Sequence, residues 1–175
     1  MRGAGLFFYV IAAVVLVIDQ ITKFRIAETM MRGESISVIG EFFRITYVQN
    51  SGAAFGLDLG GRWSFIIVTI IVAAFILFYY ARTENTLTAR WALALILGGA
   101  LGNLVDRIRI GEVIDFLHLS VGGLSWPIFN VADIGVSVGV GLLAIHLFRK
   151  EHPEDVPEPH EASARDAGAE EGRPA

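Results

Sequence analysis

Four long apolar blocks divide this chain, and the polar residues that interrupt them are not scattered at random. Ala4–Ile18 carries no charge and runs into Asp19. Trp63–Ala81 is broken only by Ser64 and Thr69. Trp91–Val105 is apolar except for Asn103 and ends at Asp106-Arg107, and Trp126–Phe148 contains Asn130, Asp133 and His146. A helix needs about 20 residues to cross the hydrocarbon layer. The second and fourth blocks reach that length unaided; the first and third reach it only by including their polar ends. Membrane spans are therefore expected near residues 4–22, 63–81, 90–106 and 127–148.

Between the first two spans the pattern changes. Ser35-Ile36-Ser37-Val38-Ile39 and Glu41–Val48 are rich in β-branched and aromatic residues and are separated by Gly40, which is a strand signal. A small surface sheet is expected over about residues 34–50. Arg107–Ser125 forms a second surface segment, with a turn at Gly122-Gly123. From Glu151 the chain turns to Pro, Glu, Ala and Gly, a composition too poor in apolar groups to fold. The expected organisation is a four-span membrane domain over residues 1–150 and a disordered acidic tail over 151–175. The fold class is an all-α membrane protein with a small β-sheet at its surface.

Composition narrows the chemistry. The chain is 54% hydrophobic, with a mean hydropathy of +0.57, which is more apolar than a soluble domain of this size. It has no cysteine, which excludes disulfides, zinc–thiolate sites and a cysteine nucleophile. The net charge of −4 belongs to the tail, which holds eight of the eighteen acids. Without it the body is mildly basic but forms no dense cationic stripe, so nucleic acid is not an expected partner. Arg2 and the apolar run after it imitate a signal peptide, yet no small-x-small cleavage site follows, and the run reads as a retained span. The count of Lys and Arg by itself leaves orientation open. Arg2, Arg82, Arg90, Arg149 and Lys150 lie on the side of the termini, against Lys23, Arg25, Arg32, Arg44, Arg62, Arg107 and Arg109 on the other.

Ionisable groups in membrane helices cost about 2.5–3.5 kcal/mol each at the centre. This chain accepts Asp19, Asp106, Asp115 and Asp133, accompanied by Asn50, Asn103, Arg107 and Asn130, and alternation of the spans puts all eight on one side of the bilayer. In a continuous fourth helix Asp133 lies about 10 Å along from Trp126 and shares a face with Asn130. If Asp115 approaches Asp133, two like charges at low dielectric share one proton and can act as acid and base on a bound water. Other readings stay open. Asp133 alone could bond a neighbouring helix, Asp19 at a helix end reads as structural, and Asp106-Arg107 reads as an ion pair closing the third span. The glycines at 98, 99, 102, 135, 139 and 141 read as close helix packing, and His146 as interfacial. A serine hydrolase built from Ser51 or Ser120 with His118 lacks a nucleophile motif, and no His pair stands at metal-ligand spacing. A proton-relay or transport subunit would need polar residues on both sides of the bilayer, whereas the far halves of the spans are almost wholly apolar.

Five ordered segments resemble the lipoprotein signal peptidases, also called signal peptidase II, of bacterial inner membranes. They are Asp19-Gln20-Ile21-Thr22-Lys23, Asn50-Ser51-Gly52-Ala53-Ala54-Phe55, the run from Gly98 to Arg107, Val113-Ile114-Asp115-Phe116 and Phe129-Asn130-Val131-Ala132-Asp133. The resemblance implies an aspartyl endopeptidase that cuts prolipoproteins just before a diacylglyceryl-modified cysteine. It implies Asp115 and Asp133 as catalytic dyad, and Asn50, Asn103, Arg107 and Asn130 as groups orienting substrate or dyad. Asp19, Lys23 and Asp106 match positions of structural and electrostatic support. No metal or cofactor is implied, and the expected partners are prolipoproteins and membrane lipid, with the enzyme a monomer. Cytoplasmic termini and an extracytoplasmic active site and sheet are also implied, against the raw charge count.

Overall fold

The structure, a computed structural model, describes residues 2–52, 61–82 and 86–151. Ala53, Ala54 and Phe55 of the second motif and residues 152–175 of the tail lie outside the described residues. Four helices, α1 (Arg2–Thr29), α2 (Gly61–Arg82), α3 (Leu87–Arg109) and α4 (Val131–Glu151), are each long and apolar enough to cross a membrane. The apolar blocks account for this, because a helix satisfies every backbone N–H and C=O within itself where no water can.

Two boundaries differ from expectation for stated reasons. α1 does not stop near residue 22 but continues to Thr29, since Asp19 and Lys23 turn inward and pair (i, i+4) rather than meeting lipid. α4 starts at Val131 rather than 127. The stretch from Trp126 to Asn130 is not helical, and Pro127 lies within it. Asp133 is accordingly the third residue of α4, not a group two turns inside a longer helix.

α3 is the hub: α1, α2 and α4 all pack on it, and α2 also meets α1 through side chains. Away from the polar residues, Phe8, Ile11, Ala12, Ala73, Ile76, Leu93, Ala94 and Leu97 form one buried cluster, with Phe8 stacked on Tyr80 at 3.9 Å. The outward faces, such as Ile67, Ile71 and Phe75 of α2, stay exposed, as a lipid-facing helix requires. Helices α3 and α4 approach so closely that only glycine fits between them. A Cβ on Gly99 would strike the Ala132 carbonyl, and one on Gly139 would lie 2.7 Å from the Ala92 carbonyl. The glycine reading from sequence holds at these positions.

The sheet is larger than the sequence signal over residues 34–50 indicated. Strands β1 (Ser35–Ile39), β2 (Phe43–Asn50), β3 (Val113–Val121) and β4 (Leu124–Ser125) run antiparallel in the order β1-β2-β3-β4. Gly122 and Gly123, at φ 58° and 85°, make the tight two-residue turn that joins β3 to β4, a turn that needs φ > 0 at both positions. The alternation Leu117-His118-Leu119-Ser120-Val121 was the available signal for β3. A bulge between Ile45 and Val48 resets the β2–β3 register so that Val48 faces Asp115 and Asn50 faces Val113. One buried cluster, Met30, Tyr47, Ile114 and Phe116, seats the sheet on the end of α1.

Replacing Gly99 with Val should cost about 1–3 kcal/mol through overpacking. A lowered thermal midpoint of the detergent-purified protein, relative to wild type, is the expected measurement.

Candidate active site

Asp115 comes from β3 and Asp133 from the first turn of α4, and a single asparagine joins them. Asn130 is the N-cap of α4. Its Oδ1 accepts the Asp133 N–H at 3.0 Å, and its own N–H donates to Asp133 Oδ2 at 3.1 Å, a reciprocal capping box. The same residue's Nδ2 donates to Asp115 Oδ1 at 2.6 Å and to Asn103 Oδ1 at 3.1 Å. Asn103, from α3, donates its Nδ2 to Asp133 Oδ1 at 2.8 Å. Asn50, at the end of β2, donates to Asp115 Oδ2 at 2.9 Å while its Oδ1 takes the Gly52 N–H. Each carboxylate therefore receives two donors, and Asn130 contacts both. Asn130 and Asp133 do not share a helix face; cap geometry brings them together instead.

Asp115 is only 2% exposed. Burial raises its carboxyl to about 6, opposed by the Asn50 hydrogen bond and reinforced by the Asp133 charge. Asp133 is half-buried and borders a groove of about 270 Å³ lined also by Trp126, Phe129, Ile134, Ser137 and Val138. Ile134 and Val138 are exposed on the outer face of α4, so the groove meets the surface that lipid covers.

Three further candidates gather beside Asn103. Lys23 Nζ lies 2.8 Å from Asp19 Oδ2, 2.9 Å from Asp106 Oδ2 and 2.8 Å from Asn103 Oδ1; all three charged residues are at most 1% exposed. Asp106 thus pairs with Lys23, not with Arg107 as its adjacency suggested. A lysine offers three short donors that reach around a corner, whereas neighbours on a helix point about 100° apart. Arg107 instead lies over the Phe65 ring at 5.0 Å and donates to the Asn103 carbonyl at 3.4 Å. Gln20, beside Asp19 in the first motif, serves the same cluster: its Nε2 bridges Asp106 Oδ1 and the Gly102 carbonyl, each at 3.1 Å. Phe65, whose ring also crowds Gly52, carried no sequence signal at all. His118 lies on the opposite face of β3 from Asp115, between Thr46 and Ser125. It has a hydroxyl where a serine hydrolase needs an acid.

Known proteins resemble this chain over most of its length. A family model for signal peptidase (SPase) II matches residues 11–149. The chain belongs to that family. A lipoprotein signal peptidase of Halothermothrix orenii is 43% identical over 147 residues, covering 84% of this chain and 99% of the relative. One from Symbiobacterium thermophilum is 47% identical over 139 residues, covering 79% and 91%. A solved bacterial membrane enzyme, determined by the in meso method at 2.3 Å resolution, superposes with a TM-score of 0.79 at 37% identity, covering 87% of this chain and 93% of the other. Membership makes this protein a multi-pass bacterial membrane protease of the signal peptidase II type, the setting in which the bridged carboxylates have to be understood.

Asn130→Ala removes both the helix cap and the shared donor. It should lower stability by about 1 kcal/mol and, by letting the carboxyls shift, lower the peptidase rate about 100-fold. Thermal unfolding and a precursor-cleavage assay on the same preparation check both figures.

Proposed function

We propose that the protein is an aspartyl endopeptidase that removes the signal peptide of diacylglyceryl-modified prolipoproteins, cutting just before the lipidated cysteine, with Asp115 and Asp133 as the dyad. The observation that carries this reading is Asn130, which bonds both carboxyls at once and so holds them as a working pair. Two carboxyls bridged by one residue share one proton, and burial makes Asp115 the member that favours holding it. The ionised member takes a proton from water as the water attacks the scissile carbonyl, the protonated member supports the developing oxyanion, and the leaving amine is protonated as the bond breaks. Arg107, half-buried beside Asn103, is the cation available to a substrate carbonyl.

A lipidated substrate suits the location. The groove beside Asp133 opens on the outer face of α4, so acyl chains can stay in the bilayer while the peptide reaches the dyad. Cytoplasmic termini and an extracytoplasmic sheet and site follow from a substrate that has been exported. A monomer suffices, since every proposed group comes from one chain, and residues 1–150 constitute the peptidase domain.

Asp115→Asn and Asp133→Asn should each leave a folded, inserted protein that accumulates uncut lipidated precursor. A wild-type processing rate in either variant removes the dyad from the mechanism, and equal cleavage of an unlipidated precursor removes the lipid requirement. The rate should also depend on pH in a defined direction. The required proton sits on a carboxyl raised from 3.8 to about 6, so it is present below that value and lost as pH rises through it. The alkaline limb of kcat/KM, which reports the free enzyme, should have its midpoint near 6; in kcat, with substrate excluding water from the dyad, it should lie higher. A profile that stays flat across this range contradicts the assignment.

A further inference from the structure

The backbone immediately before each dyad residue is held by a buried acid. Asp19 Oδ1 accepts the N–H of Ala132 at 2.9 Å, one residue before Asp133. Asp106 Oδ2 accepts the N–H of Ile114 at 3.2 Å, one residue before Asp115. The two acids come from different helices, α1 and α3, and Lys23 Nζ joins them. Its third proton goes to Asn103 Oδ1. An ammonium group only donates, so the oxygen of Asn103 must face Lys23 and its NH2 must face Asp133, as observed. The reverse amide orientation would set donor against donor at Lys23 and acceptor against acceptor at Asp133. Neutralising the two acids needs no bond to Asn103, and that third bond points directly toward the dyad.

We infer that Lys23 is a positioning residue for peptide-bond cleavage: through Asp19, Asp106 and Asn103 it sets the separation and orientation of the Asp115 and Asp133 carboxyls. The inference rests on the dyad reading and deepens it. Deleting Lys23 alone would strand two buried carboxylates, so the informative variant is Lys23→Met combined with Asp106→Asn. The cluster then carries −1 both before (−1 + 1 − 1) and after (−1 + 0 + 0), and any change in behaviour cannot come from net charge. Lys23→Met with Asp19→Asn carries the same charge and the same expectation, and serves where the first variant does not fold.

With lipidated precursor and the folded fraction measured by thermal unfolding, kcat per folded enzyme should fall about 100-fold with KM unchanged. The bell of kcat/KM against pH should also narrow, because the gap between the two apparent pKa values of a carboxyl pair reflects their coupling, and carboxyls that drift apart couple less. Lost stability with wild-type kcat per folded enzyme and an unchanged bell overturns the inference and makes Lys23 a packing residue only. That result leaves the dyad reading intact as long as Asp115→Asn and Asp133→Asn are inactive; activity in those two variants sinks the dyad reading itself.

Discussion

The buried ammonium of Lys23 is the contact on which the polar end of the molecule depends. Three charges sit almost without solvent exposure in a protein whose surroundings offer little water. Such a cluster survives only when its geometry matches donors to acceptors throughout. Here it does: the three ammonium protons have three oxygens, the second carboxylate oxygens of Asp106 and Asp19 take Gln20 and Ala132, Asp106 Oδ2 also accepts the Ile114 N–H, and no buried side-chain polar atom among the described residues lacks a partner. Losing one member of such a cluster costs about 3–5 kcal/mol, more than a typical single substitution. The ends of α1 and α3, the start of α4 and the start of β3 are tied at that one point.

The apolar part of the fold exists to make this meeting possible. Close approach of α3 and α4, allowed by Gly99 and Gly139, carries Asn103 to the mouth of α4, where Asn130 and Asp133 cap the helix. The β2–β3 bulge does the same for the sheet, turning Asp115 and Asn50 toward the same spot. Neither carboxyl stands on a mobile loop: one is in a strand and the other in a capped helical turn. Rigid elements of this kind hold side chains within the narrow tolerances that the proposed catalysis needs. The outer face of α4, turned toward lipid, carries the groove beside Asp133.

Much of this was legible along the chain. Apolar blocks of spanning length implied four membrane helices, since hydropathy and length are local quantities. The one-sided placement of Asp19, Asn103, Asp106, Asp115 and Asp133 followed from alternation of the spans, and the motifs named the family. The β-branched run at 34–50 announced β1 and β2. Strand β3 is hard to read from sequence because its first half, Val113–Phe116, is buried and so lacks the alternation that marks a half-exposed strand. The start of α4 is hidden in the sequence because the apolar run Trp126–Phe129 leads into Val131 with only Asn130 between them, and it is the Asn130–Asp133 cap that begins the helix.

By itself, then, the sequence determined the number of spans, the family and the identity of the polar residues, because composition, periodicity and motif are carried by neighbouring positions. Tertiary structure alone decided who meets whom. Asp106 turns to Lys23 and not to the adjacent Arg107, Asn130 serves two carboxyls from strand and helix, and Asp19 holds a backbone N–H 113 positions away. Backbone groups look the same at every residue, so no pattern in side-chain identity can announce that the N–H groups of Ala132 and Ile114 are the ones held. Only the packing of α3 against its three neighbours brings those donors within reach of their acids.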